Sequence, residues 1–104
     1  MLKHNFRQLR IWNDSVELTK DVYFLTQKIS NEHKFGISSQ LYRAAVSIPS
    51  NIAEGQGRNS TKEFLHHLFI AYGSLMETET QGLVADNAKL YNGGRNNHSF
   101  RKNR

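Results

Sequence analysis

Residues 40–63, QLYRAAVSIPSNIAEGQGRNSTKE, decide the fold. Ile37, Leu41, Ala44 or Ala45, Ile48 and Ile52 return every three or four positions, so one stripe of a helix is apolar. The middle of that helix is small: Ala44, Ala45, Ser47, Ser50 and Ala53. Small side chains let a neighbouring helix come close, because interaxial distance follows side-chain size. Pro49 removes one backbone hydrogen bond and crowds the preceding turn, which predicts a kink, with the helix resuming to about Glu54. Gly55 and Gly57 end the helix. Ser60-Thr61-Lys62-Glu63 then has the spacing of a capping box, which starts another.

Upstream, Ile11, Ser15, Leu18, Val22, Leu25 and Ile29 step by alternating fours and threes. That heptad-like seam predicts a first helix over about 8–29. Trp12, Val16 and Tyr23 widen it on one side. The connection Ser30–Gly36 is polar. Gly36 can take a left-handed turn, Phe35 is expected to cap the end of the core, and Ser38 or Ser39 to cap the next helix, over about 37–55.

Downstream, Phe64, Leu65, Leu68, Phe69, Ala71, Tyr72, Leu75, Met76 and Leu83 form the apolar set of a third helix over about 60–91. Gly73-Ser74 is a soft spot or a close contact within it. The reading is all-α, an antiparallel up-down bundle with three helices in a domain of residues 1–91. Residues 92–104 read as a disordered basic tail, with one large apolar residue, Phe100, and no helical period.

Composition narrows the function. The chain has 104 residues, enough for one domain with a modest core. It has no cysteine, so no disulfide and no thiolate metal site, which suits a reducing cytoplasm. No apolar run is long enough to span a membrane, and the N-terminus lacks the apolar segment of a signal peptide. The net charge is +5, but residues 1–91 carry ten basic and nine acidic side chains. The basic excess therefore sits in the tail, at Arg95, Arg101, Lys102 and Arg104, and the body is not a nucleic-acid binder by bulk charge.

No catalytic constellation is present, and no metal or cofactor is expected. His66 and His67 are adjacent, so on a helix they point about 100° apart and do not share a metal as an i, i+4 pair would. Glu54, Glu77 and Glu79 would have to converge from two helices to make a carboxylate site. Gly55-Gln56-Gly57-Arg58 has no strand before it and no Lys-Ser/Thr, so it is not a phosphate loop of the usual kind. Arg58 and Lys62 do stand at a helix N-terminus, where amides and dipole attract anions. With Arg43, and Arg10 extending the patch, they are the candidate nucleic-acid-binding residues.

Trp12, the run Gln40–Gly55, Ser60–Phe64 and Ala71–Gln81 together resemble one family. It is that of the bacterial four-helix-bundle proteins first noted as reading frames in intervening sequences of 23S ribosomal RNA genes. The same fold includes the accessory variability determinant proteins of diversity-generating retroelements. The resemblance covers roughly residues 5–90. It implies a four-helix-bundle protomer, assembly into a homopentamer, no enzymatic activity, and, in the retroelement relatives, contact with reverse transcriptase and with RNA or DNA through a basic surface. Arg43 and Arg58 match positions usually basic in such proteins. The departure comes after Tyr91, where the family continues into a fourth helix and this chain turns to Gly-Gly and Asn. An alternative expectation is thus a truncated or frameshifted remnant without activity, exposing an apolar patch.

Overall fold

A computed structural model describes residues 6–94. It contains three helices, α1 (Phe6–Thr26), α2 (Ser39–Gln56) and α3 (Thr61–Asn87). A 3-10 turn at Asn31–His33 and a π turn at Lys34–Ser38 join α1 to α2, and a 3-10 turn at Asn92–Gly94 follows α3. The expected all-α bundle is what the chain forms. The part of the expected disordered tail beyond residue 94 lies outside the described residues.

α2 is the central helix, packed most extensively on α3 and next on α1. The pairings show the antiparallel order. Thr19 meets Ala45 while Tyr23 meets Tyr42, and Ser47 meets Ser74 while Asn51 meets His67. The expected α2 stripe is the core, with Leu41, Ala44, Ala45, Ile48 and Ile52 all buried. On α1, Ser15, Val22 and Leu25 are buried, as is Ile29 just beyond its end, whereas Ile11 is about half exposed. Val22, Leu25, Ile29, Leu41, Ala45 and Ala85 close one half of the core with Tyr91. Ile48, Ile52 and Ala71 close the other half, with Trp12, Leu18 and Leu68 against them. Each fully buried Val, Leu or Ile side chain among them contributes about 1.5–3 kcal/mol.

The close approach of α2 to α3 depends on Gly55. A β-carbon there would lie 2.9 Å from the His67 Cβ and 3.2 Å from the Phe64 carbonyl oxygen. Gly55 is thus more than a helix terminator: it sits inside α2, which runs on to Gln56. The helix also continues through Pro49. A proline at 49 leaves the carbonyl four residues back without its helical donor. That carbonyl, Ala45 O, lies 3.0 Å from the Thr19 hydroxyl of α1, whose one proton is shared with Ser15 O at 2.8 Å, so the neighbouring helix satisfies it in part.

The helix ends depart from the expected boundaries for local reasons. α1 stops at Thr26. The expected serine cap on α2 is not made: Ser38 has helical dihedrals and no side-chain cap bond, because the π turn runs straight into the helix. Gly36 has φ −108° and ψ −112°, not the left-handed conformation. Phe35, on the same turn, is 90% exposed and does not cap the core. The Ser60 cap is made, its hydroxyl accepting from the Glu63 amide at 3.1 Å.

α3 ends at Asn87, short of Tyr91, through a paired C-terminal cap. Lys89 adopts φ 56°, the Lys89 amide donates to Asp86 O, and the Leu90 amide donates to Ala85 O. These are the two bonds of a Schellman motif. The chain then folds back onto the end of α1. Ser30 N–H donates to Leu90 O at 2.8 Å, Asn92 N–H donates to Lys28 O at 2.7 Å, and Ile29 and Tyr91 form an antiparallel bridge. Tyr91, 2% exposed, fills the position expected for Phe35.

Candidate functional site

The candidate basic residues do not form one patch. Arg58 follows α2 in the α2–α3 turn and pairs with the Glu54 carboxylate one helical turn back. Lys62 is exposed in the first turn of α3. Arg43 is exposed on α2, fifteen residues before Arg58, which is about 22 Å along a helix axis. Arg10 is exposed on α1. Arg58 lines an open cleft with Gln8, Gln56, Asn59, Ser60 and Phe64. With the Glu54 carboxylate on its guanidinium, that end of the bundle presents little net positive charge.

The other candidate groups have structural partners. His67 Nδ1 lies 3.2 Å from Asn51 Oδ1. The Asn51 amide donates to Ser47 O at 2.9 Å and to Ser47 Oγ at 3.0 Å, so its oxygen is left as the acceptor and His67 as the donor. Ser47 Oγ and Ser74 Oγ are 2.8 Å apart, and the Thr78 hydroxyl donates to Ser74 O at 2.7 Å. This is a polar ladder between α2 and α3. His66 is exposed, its ring 5.5 Å from that of His67. Glu77 accepts from Gln81 at 3.2 Å on the outside of α3. Among the described residues no three His, Asp or Glu side chains lie together as a metal set would. No described helix is long and apolar enough to cross a membrane.

The most pronounced surface feature is apolar. Of the expected apolar set of α3 only Ala71 is buried, with Phe64, Leu68 and Leu83 half-buried. The residues buried there are Ala71, Ser74, Thr78, Gly82, Ala85 and Asp86, all small or polar. Leu65, Phe69, Tyr72 and Met76 are exposed, with Phe69 at 74% and Tyr72 at 61%. They step four, three and four residues, so they form one straight stripe about 100–160° around from Ala71. α1 bears a second apolar flank. Leu9, Val16 and Tyr23 recur every seven residues and are exposed. They precede Ile11, Leu18 and Leu25 by two positions, which turns them about 200° to the opposite flank of α1. Val16 and Tyr23 line a shallow groove with Tyr42 and Pro49 of α2.

This helical chain with a proline-bearing central helix matches the 23S rRNA-intervening sequence protein family over residues 7–102. The chain belongs to that family. The family match runs through the Gly-Gly and Asn-rich segment that follows Tyr91. No curated protein matches the chain.

Sequence reasoning missed the inverted burial of α3, because hydrophobic periodicity follows the largest side chains. The signal that could have revealed it is a second stripe: Ala71, Ser74, Thr78, Gly82 and Ala85 are all small and share one face.

Proposed function

We propose that this family member is a non-enzymatic assembly protein that associates head to tail with copies of itself in the cytoplasm and serves as a nucleic-acid adaptor. One observation carries the reading: the straight stripe Leu65, Phe69, Tyr72 and Met76 stands uncovered on α3. A monomeric protein rarely leaves so many large apolar side chains contiguous in water. The second apolar flank, on α1 and α2, is unlike the first in residues and shape. Two unlike faces on one chain favour a heterologous contact, and such contacts close into rings when the rotation permits. The family resemblance suggests a ring of five. It also suggests RNA or DNA as cargo and a protein partner such as a reverse transcriptase. Arg43, Arg58 and Lys62 would then act together only once several copies place them side by side.

Size-exclusion chromatography with light scattering, read at 260 and 280 nm, tests this. A discrete oligomer that Phe69→Ser with Tyr72→Ser reduces to a folded monomer supports assembly. Excess absorbance at 260 nm that Arg43→Glu abolishes supports the adaptor role. A monodisperse monomer would sink the assembly reading. Polydisperse aggregate would favour the competing reading, an inactive remnant, which the same uncovered stripe accommodates.

A further inference from the structure

A cleft at the end of the bundle opposite Arg58 has the chemistry of a ligand site. It lies where α1 ends and α2 begins, and it encloses about 360 Å³. That is within the range of small-molecule sites, roughly 300–1,000 Å³. Tyr23 of α1 and Tyr42 of α2 form one wall, edge to face with ring centroids 5.7 Å apart. Both rings remain nearly half exposed. Lys34, Ser38, Asn31 and Asn92 contribute polar groups from the turns. The buried Ile29 lies at the cleft floor.

Two details separate this cleft from an ordinary surface furrow. Ser38 lines the cleft, and its hydroxyl caps no helix, which leaves it available to a ligand. In addition, no carboxylate lines the cleft, while Lys34 brings a cation. The nearest acid in the chain, Glu32, is 3.2 Å from His33 Nε2. Aromatic faces, hydroxyl and amide groups, and one cation with no carboxylate in the cleft suit a planar heterocycle joined to a phosphate. Bases stack on aromatic side chains without regard to their identity. An ammonium takes phosphate as a point charge.

We propose that this cleft binds a nucleoside monophosphate unit, its base against Tyr42 and Tyr23 and its phosphate at Lys34 and Ser38. The unit comes either as a free nucleotide or as the phosphorylated end of an RNA strand. The cleft shares its Tyr23–Tyr42 wall with the second apolar flank, so Lys34→Ala, which lies outside that flank, is the variant that separates ligand binding from assembly. The cleft is separate from any RNA contact through Arg43 and Arg58, which a change at Lys34 would leave intact.

Titration of the full chain with AMP, followed by amide chemical shifts, provides the test. The cleft should saturate in the millimolar range or below, with shifts centred on residues 23, 34, 38 and 42. Lys34→Ala and Tyr42→Ala should each weaken binding at least about fivefold. Lys34 lies on an exposed turn, so its variant keeps the fold even where Tyr42→Ala does not. Adenosine and inorganic phosphate should each bind more weakly than AMP. Equal binding by either, no saturation, or an unchanged affinity in Lys34→Ala would overturn the proposal. A 5′-phosphorylated oligoribonucleotide that outcompetes AMP, against one with a 5′-hydroxyl, identifies the strand end as the source. Competition by neither assigns the free nucleotide.

Discussion

The two faces of α3 are built in opposite ways. The face against α2 holds Ala71, Ser74, Thr78, Gly82 and Ala85, and it is buried. The face turned away holds Leu65, Phe69, Tyr72 and Met76, and it is exposed. Small groups inside allow close approach, and the Ser47–Ser74 and Asn51–His67 bonds fix the register. Large groups outside, Phe69 and Tyr72 above all, contribute little to the isolated protomer and are available to another surface. In this helix, hydrophobicity marks contact that the protomer leaves unmade, and smallness marks contact that it makes.

Filling the tight face should cost most. Gly55→Ala places a methyl 2.9 Å from the His67 Cβ. Overpacking against backbone and Cβ atoms costs about 1–3 kcal/mol, and thermal unfolding should show a lower midpoint. An unchanged midpoint would mean that the two helices are free to separate. Thr19→Val tests the other seam of α2. It withdraws the donor from the Ala45 carbonyl beside Pro49. The expected loss is about 1–2 kcal/mol in denaturant unfolding. It should vanish when Pro49→Ala is combined with it, since an alanine amide restores the helical bond.

Ser60→Ala removes the α3 cap and should cost about 1 kcal/mol. It should do so equally in assembled and monomeric protein, because the cap faces neither seam. The smallest effect on protomer stability belongs to the outer face. Phe69→Ser should change the unfolding free energy of a dissociated protomer by less than about 0.5 kcal/mol. A large loss there would show that the stripe is core after all and erase the contrast.

Tyr91 gives the comparison a pH axis. Burial, and then the Asp86 carboxylate, push its hydroxyl from 10.0 up to about 12. The folded state therefore holds this proton more tightly than the unfolded chain. Its contribution is complete below pH 10 and is lost as pH rises toward 12. The Tyr91 hydroxyl has no hydrogen-bond partner among the described residues. Tyr91→Phe should accordingly match or exceed the parent in stability at neutral pH and flatten the decline above pH 10. A parallel decline in the variant would place its cause elsewhere.

Much of this was legible beforehand. The count of helices, the α2 stripe from Leu41 to Ile52 and the Ser60 cap all follow from spacing, and spacing is local. Three things were not. Pro49 reads as a break, because its remedy is a hydroxyl on α1, thirty residues earlier. Phe35 and Tyr91 exchange roles because the turn geometry around Lys89, a non-glycine residue with positive φ, carries no compositional mark. The candidate basic residues look clustered around the α2–α3 turn in sequence. Helix rise then spreads Arg43 from Arg58, and Glu54 opposes the latter.

The reversal after α3 has a kinetic consequence. The Ile29–Tyr91 bridge joins segments about sixty residues apart, whereas the α2–α3 hairpin needs only local closure. The hairpin can form early, and the bridge must wait until α1 has docked. The amides of Ser30 and Asn92, which close it, would then exchange with solvent whenever α1 undocks. Their exchange rates would report how often α1 leaves the hairpin.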